Sequence, residues 1–230
     1  MKNATRVFVS TFGAIWALAG IEHGIGEIFQ GNGTPAGIMI QSWPASAFFR
    51  NLSGEPAMTV IPNLLLTGIL AVLVSLALLV WAIRFVHRKN GGLIMILLSI
   101  VMLLVGGGIF PPILGILIGV VATRIHSPLN WWRTRLSPGS RHFLAGLWPW
   151  SYAACIIAWL SMLPGIPLLG YFFGVNDATL ILTILLSACG TLALTVFSGF
   201  AYDIQMQAGT RSHTQDTDPP VQTVCSLPYF

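Results

Sequence analysis

Apolar positions run without a charged residue from Asn90 to Thr123. As one helix, at about 1.5 Å per residue, that run would reach roughly 50 Å, against roughly 30 Å of hydrocarbon in a bilayer. Its middle reads Gly106, Gly107, Gly108, Ile109, Phe110, Pro111, Pro112, a stretch that breaks or folds a helix. The pattern therefore predicts two helical arms joined by a glycine–proline turn, not one rod.

Shorter apolar runs lie on either side. Together they predict membrane segments over about residues 7–29, 58–85, 93–109, 111–124, 143–163 and 178–202. Pro62 is expected in the first turn of the second helix, where a missing N–H costs little, and Pro164 and Pro167 are expected to end the fifth. The linker from Gly31 to Ala57 is rich in Gly, Pro and Ser, and its Trp43, Phe48 and Phe49 suit a segment at headgroup level. Trp131-Trp132 and Trp148-Pro149-Trp150 read as interfacial anchors. The expected fold is all-α, a polytopic transmembrane bundle of six segments over residues 1–203. The polar residues 204–230 form a disordered cytoplasmic tail. Ala17-Leu18-Ala19 also matches a signal-peptide cleavage pattern, but the apolar run continues to Phe29 and favours a retained anchor.

The charges decide between five segments and six. If residues 90–123 crossed once, Arg124, Arg133, Arg135 and Arg141 would face the side opposite Arg84, Arg88 and Lys89, against the rule that short cytoplasmic loops collect Lys and Arg. If the run doubles back, both termini and ten of the eleven basic residues share the cytoplasmic side, and Arg50 alone is outside. The doubled-back arms are each short for a full span, so a re-entrant pair is the alternative. Such a turn is tolerated only where other elements cover its backbone.

Composition agrees. The chain is 55% hydrophobic and 8% charged, with mean hydropathy +0.79, whereas soluble domains carry about 25% charged residues. A net charge of +4 from a few basic residues beside apolar runs gives no case for nucleic acid. Cys155, Cys189 and Cys225 form no CxxC, and neither a P-loop nor GxSxG is present, so no cofactor is expected. Two sequons, Asn32-Gly33-Thr34 and Asn51-Leu52-Ser53, fall in the outer linker.

Candidate chemistry concentrates in Gly20-Ile21-Glu22-His23-Gly24-Ile25-Gly26-Glu27, where three ionisable groups interrupt an apolar helix. Glu22 is expected about two-thirds of the way across and Glu27 near the outer interface. A carboxylate at mid-bilayer costs about 2.5–3.5 kcal/mol. His23 and Glu27, four apart, share a helix face, and Glu22 points about 100° away. The group reads as a proton, cation or metal site open to the outside, or as residues that snorkel to water. A catalytic zinc would need further outer ligands, and only Glu55 and Asp177 are available there, so no metal is assigned. Thr179, Thr183, Ser187, Thr191 and Thr195 make a hydroxyl stripe on the last helix, either a wet path or a seam. Gly13, Ala17, Gly20 and Gly24 form a small-residue stripe, and Gly115 and Gly119 a GxxxG. Both read as helix-packing seams.

Glu22-His23-Gly24-Ile25-Gly26-Glu27 in the first helix, with Gly54-Glu55-Pro56-Ala57-Met58, resembles a family of small, uncharacterised polytopic bacterial membrane proteins. The resemblance covers most of the membrane part. It implies a bacterial inner membrane and no activity. Two functions follow from the residues themselves. The favoured one is a non-catalytic component that packs in the lipid bilayer with a membrane-protein partner or a second copy. The alternative is a small transporter or channel for a proton, cation or small polar solute, using Glu22, His23, Glu27 and the hydroxyl stripe.

Overall fold

The computed structural model describes residues 3–44, 46–49, 54–175 and 177–217, with side chains as far as residue 208. Expectations placed on Lys2, Arg50, Asn51-Leu52-Ser53, Cys225 and residues 218–230 lie outside the described residues, as does the side chain of Arg211.

The chain is predominantly helical. Helix α1 spans Ala4–Phe29 and opens on Asn3, whose side chain accepts from the Arg6 amide. A two-stranded antiparallel sheet follows, β1 (Met39–Gln41) on β2 (Pro56–Met58), with Ile40 opposite Ala57. Helix α2 (Leu64–Val80) is capped by Asn63 and runs into a π-helical turn at Trp81–Phe85. Helices α3 (Gly91–Leu104) and α4 (Phe110–Ala122) follow, then a short α5 (Asn130–Arg135). Helix α6 (Pro138–Leu160) continues through a π-helical turn, Ser161–Gly165, into α7 (Ile166–Phe173). Helix α8 spans Ala178–Thr217. Four stretches are long and apolar enough to cross a membrane: Ala4–Phe29, Leu64–Phe85, Pro138–Phe173 and Ala178–Ala208. At about 1.5 Å per residue, α3 and α4 reach only about 20 Å each, short of the hydrocarbon core.

Several boundaries differ from the sequence expectation. Residues 58–63 are not helical: Met58 ends β2, residues 60–62 form bends and Asn63 supplies the helix cap, so Pro62 precedes α2. Pro164 and Pro167 do not end the fifth segment. Pro164 sits in the π-helical turn and Pro167 at the start of α7, and the chain stays helical through both. The last helix passes Tyr202 and continues to Thr217.

The long uncharged run doubles back at Val105–Ile109. Gly106 and Gly108 there hold φ of +92° and +84°, values that favour glycine. The arms lie antiparallel, Gly92 beside Thr123 and Ser99 beside Gly115. A Cβ on Gly119 would sit 2.6 Å from Ile96 Cγ1 and 3.2 Å from the Gly92 carbonyl, so the GxxxG is filled by α3. The turn is stitched to β2 and the residues after it: the Gly106 amide donates to Met58 O and the Val60 amide to Leu104 O, at 2.9 and 3.0 Å. Its backbone is thus covered, as a turn at membrane depth requires.

Helix α1 lies at the centre, against α2, α4 and α8. Its small-residue stripe is filled by α2 and α3. A Cβ on Gly13 would meet Ala82 and Met95, one on Gly20 would meet Ser75 and Met102, and one on Gly24 would lie 2.8 Å from the Gly68 carbonyl. Phe8, Phe12, Trp16, Leu78, Met95 and Met102 are fully buried in the core. Trp16 meets Trp159 of α6 edge-on at 4.6 Å. At the opposite end from the turn, the Asp203 carboxylate accepts from the Ala4 and Thr5 amides (2.7 and 3.0 Å) and the Thr5 hydroxyl (2.6 Å). It satisfies amides that the start of α1 leaves unpaired.

Candidate functional site

The polar groups of α1 meet three other elements at the end of the bundle that holds the hairpin turn. Glycine at 24 and 68 lets α1 and α2 approach closely, and the sheet brings the residue before β2, Glu55, over α1. The imidazole of His23 is 6% exposed. Its Nδ1 lies 2.9 Å from the Ala19 carbonyl and 3.1 Å from Glu22 Oε2, and its Nε2 lies 3.2 Å from Glu55 Oε2. A carbonyl can only accept, so the Ala19 contact places a hydrogen on Nδ1. Glu22, His23 and Glu55 each offer a ligand atom, and the three atoms lie within 4.8 Å of one another.

Glu27 lies one turn further along the same face and is fully buried. Its Oε1 accepts from Ser42 Oγ at 3.2 Å, while its Oε2 has no hydrogen-bond partner among the described residues. Glu22 Oε1 and Glu55 Oε2 are also buried without a hydrogen-bond partner there. Burial pushes the Glu55 carboxyl up to about 8, against the opposing pull of His23.

Glycine shapes this chamber. A Cβ on Gly106 would collide with both Glu27 carboxylate oxygens, and one on Gly108 would sit 2.7 Å from His23 Nε2. Two adjoining clefts of about 220 and 320 Å³ open onto the group, both lined by His23 and Glu55. Glu22 lines the larger cleft, and Phe110 and Pro111 at the start of α4 line the smaller. The rings of Phe29, Trp43 and Phe49 pack in series with centroids 5.8 Å apart, and Phe48 reaches Tyr171 of α7 at 6.0 Å.

The expected arrangement is changed in two ways. Glu22 does not point away from His23 but pairs with it, because a three-carbon side chain on the neighbouring residue reaches the ring. Glu55, one of the two further ligands the sequence offers, joins Glu22 and His23, so three residues that could hold a metal ion stand together where no metal is assigned from the sequence. Ser42 was missed altogether. The signals for Glu55 were the Gly54-Glu55-Pro56 stretch and the glycines of the hairpin turn, which mark a tight meeting of loop and helix. Asp177 takes no part: its carboxylate caps the start of α8 by accepting from the Thr179 amide at 2.8 Å.

The hydroxyl stripe stands apart. Thr183, Ser187 and Thr191 donate to the carbonyls of Thr179, Thr183 and Ser187, at 2.7–2.8 Å. Thr179, Thr183 and Ser187 are exposed. Thr195 alone is buried and bonds the Ser151 carbonyl of α6 at 2.9 Å, beside a Ser151–Ser198 hydroxyl pair at 2.8 Å.

No family model, no curated protein and no solved structure matches this chain.

Proposed function

We propose that this chain is a multi-pass membrane protein that binds a cation at one side of the bilayer and does not conduct it to the other. In this reading α3 and α4 are the third and fourth of six segments, both termini are cytoplasmic, and the membrane is a bacterial inner membrane. The hairpin turn, the sheet and the Glu22–His23–Glu55 group then share the outer side, and Arg84, Arg88, Lys89, Arg124 and Arg133 the inner.

The observation that carries the reading is the contrast along α1. The carboxylates and imidazole sit at one end, and beneath them Trp16, Phe12, Phe8, Leu78, Met95 and Met102 close the bundle with no exposed surface or almost none. Ser75 and Ser99 are the buried polar groups of α2 and α3 at that depth, and each is satisfied locally, by Met102 Sδ and by the Met95 carbonyl. A conducting path needs polar groups or water along its length. Both small-residue seams are filled by the chain's own helices, which leaves the outer polar group as the feature without a packing role.

The test is flux against binding. The full chain in liposomes is expected to give no proton or monovalent-cation flux above empty vesicles. A flux that Glu22→Gln abolishes would overturn the reading in favour of a transporter. Orientation is checked with a single cysteine at position 135, in a background with Cys155, Cys189 and Cys225 replaced by Ser. It is expected to resist an impermeant thiol reagent in intact cells, and ready labelling would reverse the assigned sides.

A further inference from the structure

We infer that Glu22, His23 and Glu55 form a binding site for a divalent transition-metal ion of the Zn2+ type, which rests on the one-sided cation site proposed above and names its ligand.

The argument starts at the imidazole. With its Nδ1 hydrogen directed at the Ala19 carbonyl, a neutral ring carries its lone pair on Nε2, which lies 3.2 Å from Glu55 Oε2 with no hydrogen bond between them. That oxygen accepts no hydrogen bond among the described residues. Two ligand atoms thus lie 3.2 Å apart with no hydrogen bond joining them, an arrangement that a positive centre bound by both would satisfy. Two atoms bound tetrahedrally to Zn2+ at about 2.0–2.1 Å stand about 3.3–3.4 Å apart, close to the separation found. Holding a metal-binding histidine by a bond from its other ring nitrogen to a backbone carbonyl is also the usual way of fixing its tautomer and aim.

The ligand set has the right chemistry for a borderline ion. One imidazole and two carboxylates suit Zn2+, Mn2+, Fe2+ or Co2+, and three protein ligands leave a coordination position open. Both clefts lead to that position. The site draws on α1 and on the loop before β2, so it forms only when the sheet is in place. Gly108 leaves the face of the imidazole free, since a Cβ there would lie 2.7–3.0 Å from Nε2, Cδ2 and Cε1. The other cation that could lie between Nε2 and Glu55 is a proton, and the experiment separates the two.

The full chain, stripped with chelator and held in nanodiscs, is titrated with Zn2+ by calorimetry and with Co2+ by visible absorption. The expected result is one ion per chain and a tetrahedral or five-coordinate Co2+ spectrum that Zn2+ displaces. His23→Ala is expected to lower Zn2+ affinity at least about 100-fold and Glu55→Gln at least about 10-fold, since loss of an outer-shell partner alone costs about 10–100-fold at metal sites. Asp177→Asn, far from the group, is expected to change it less than about threefold. Should His23→Ala fail to fold, Glu55→Gln carries the test alone, because Glu55 lies outside the helices. Absence of one-to-one binding, or binding that neither variant weakens, overturns the metal assignment. Either result with silent liposomes leaves the non-conducting reading standing, whereas proton flux would overturn that reading whatever the metal does.

Discussion

Two apolar helices of this protein carry polar interruptions, and the fold treats them in opposite ways. On α8 the Thr and Ser hydroxyls donate to carbonyls one turn back on the same helix, and Thr179, Thr183 and Ser187 stay on its outer face. On α1 the imidazole and carboxylates meet the sheet, the loop between its strands and the hairpin turn. The difference is chemical. A hydroxyl has one hydrogen, which the backbone of its own helix can absorb, so it can face lipid at little cost. A carboxylate has only acceptors and finds no free donor inside a helix, so other elements must cover it. The residues that demand tertiary structure are therefore the better guide to function.

The largest effect that would break this contrast is expected at the turn. Gly108→Ala forces a side chain into a left-handed backbone and against His23 Nε2, and Gly106→Ala does the same against Glu27. Each is expected to destabilise the detergent-solubilised protein by roughly 2–4 kcal/mol, read by thermal unfolding, from backbone strain and overpacking together. Stability within 0.5 kcal/mol of the parent would show that the turn does not clasp the polar group.

A smaller effect is expected where the stripe enters the protein. Thr195→Ala removes a bond to the Ser151 carbonyl on α6 and is expected to cost about 1 kcal/mol by the same measurement. The smallest is expected further out on the same stripe. Ser187→Ala deletes a hydroxyl that bonds only its own helix among the described residues, and should shift stability by less than about 0.5 kcal/mol. A larger loss at Ser187 than at Thr195 would mean that the outer face of α8 packs on a partner, and would reopen the stripe as a functional surface.

Much of the local structure was legible. The charge-free run with glycines and prolines at its centre announced a helix that folds back, because no single crossing needs that length and those residues cannot continue a helix. The spacing of Gly13, Ala17, Gly20 and Gly24 announced a seam. Its partner was not legible: α2 and α3 of the same chain fill it, because small residues state only that a backbone comes close. The prolines at 164 and 167 misled, since a π-helical turn can accommodate what a regular helix rejects.

The amino-acid sequence by itself determined that the chain carries apolar helices of membrane-spanning character, and that Glu22, His23 and Glu27 are unusual among them, because hydropathy and periodicity are properties of consecutive residues. Only the tertiary structure decided that Glu55 joins Glu22 and His23 while Asp177 does not, and that the hydroxyl stripe lies apart from both. Those outcomes depend on which loop is drawn over which helix end. Here the pairing of Ile40 with Ala57 and the close approach of Gly24 to Gly68 draw it over His23, and contacts between residues so far apart in the chain leave no periodic trace in it.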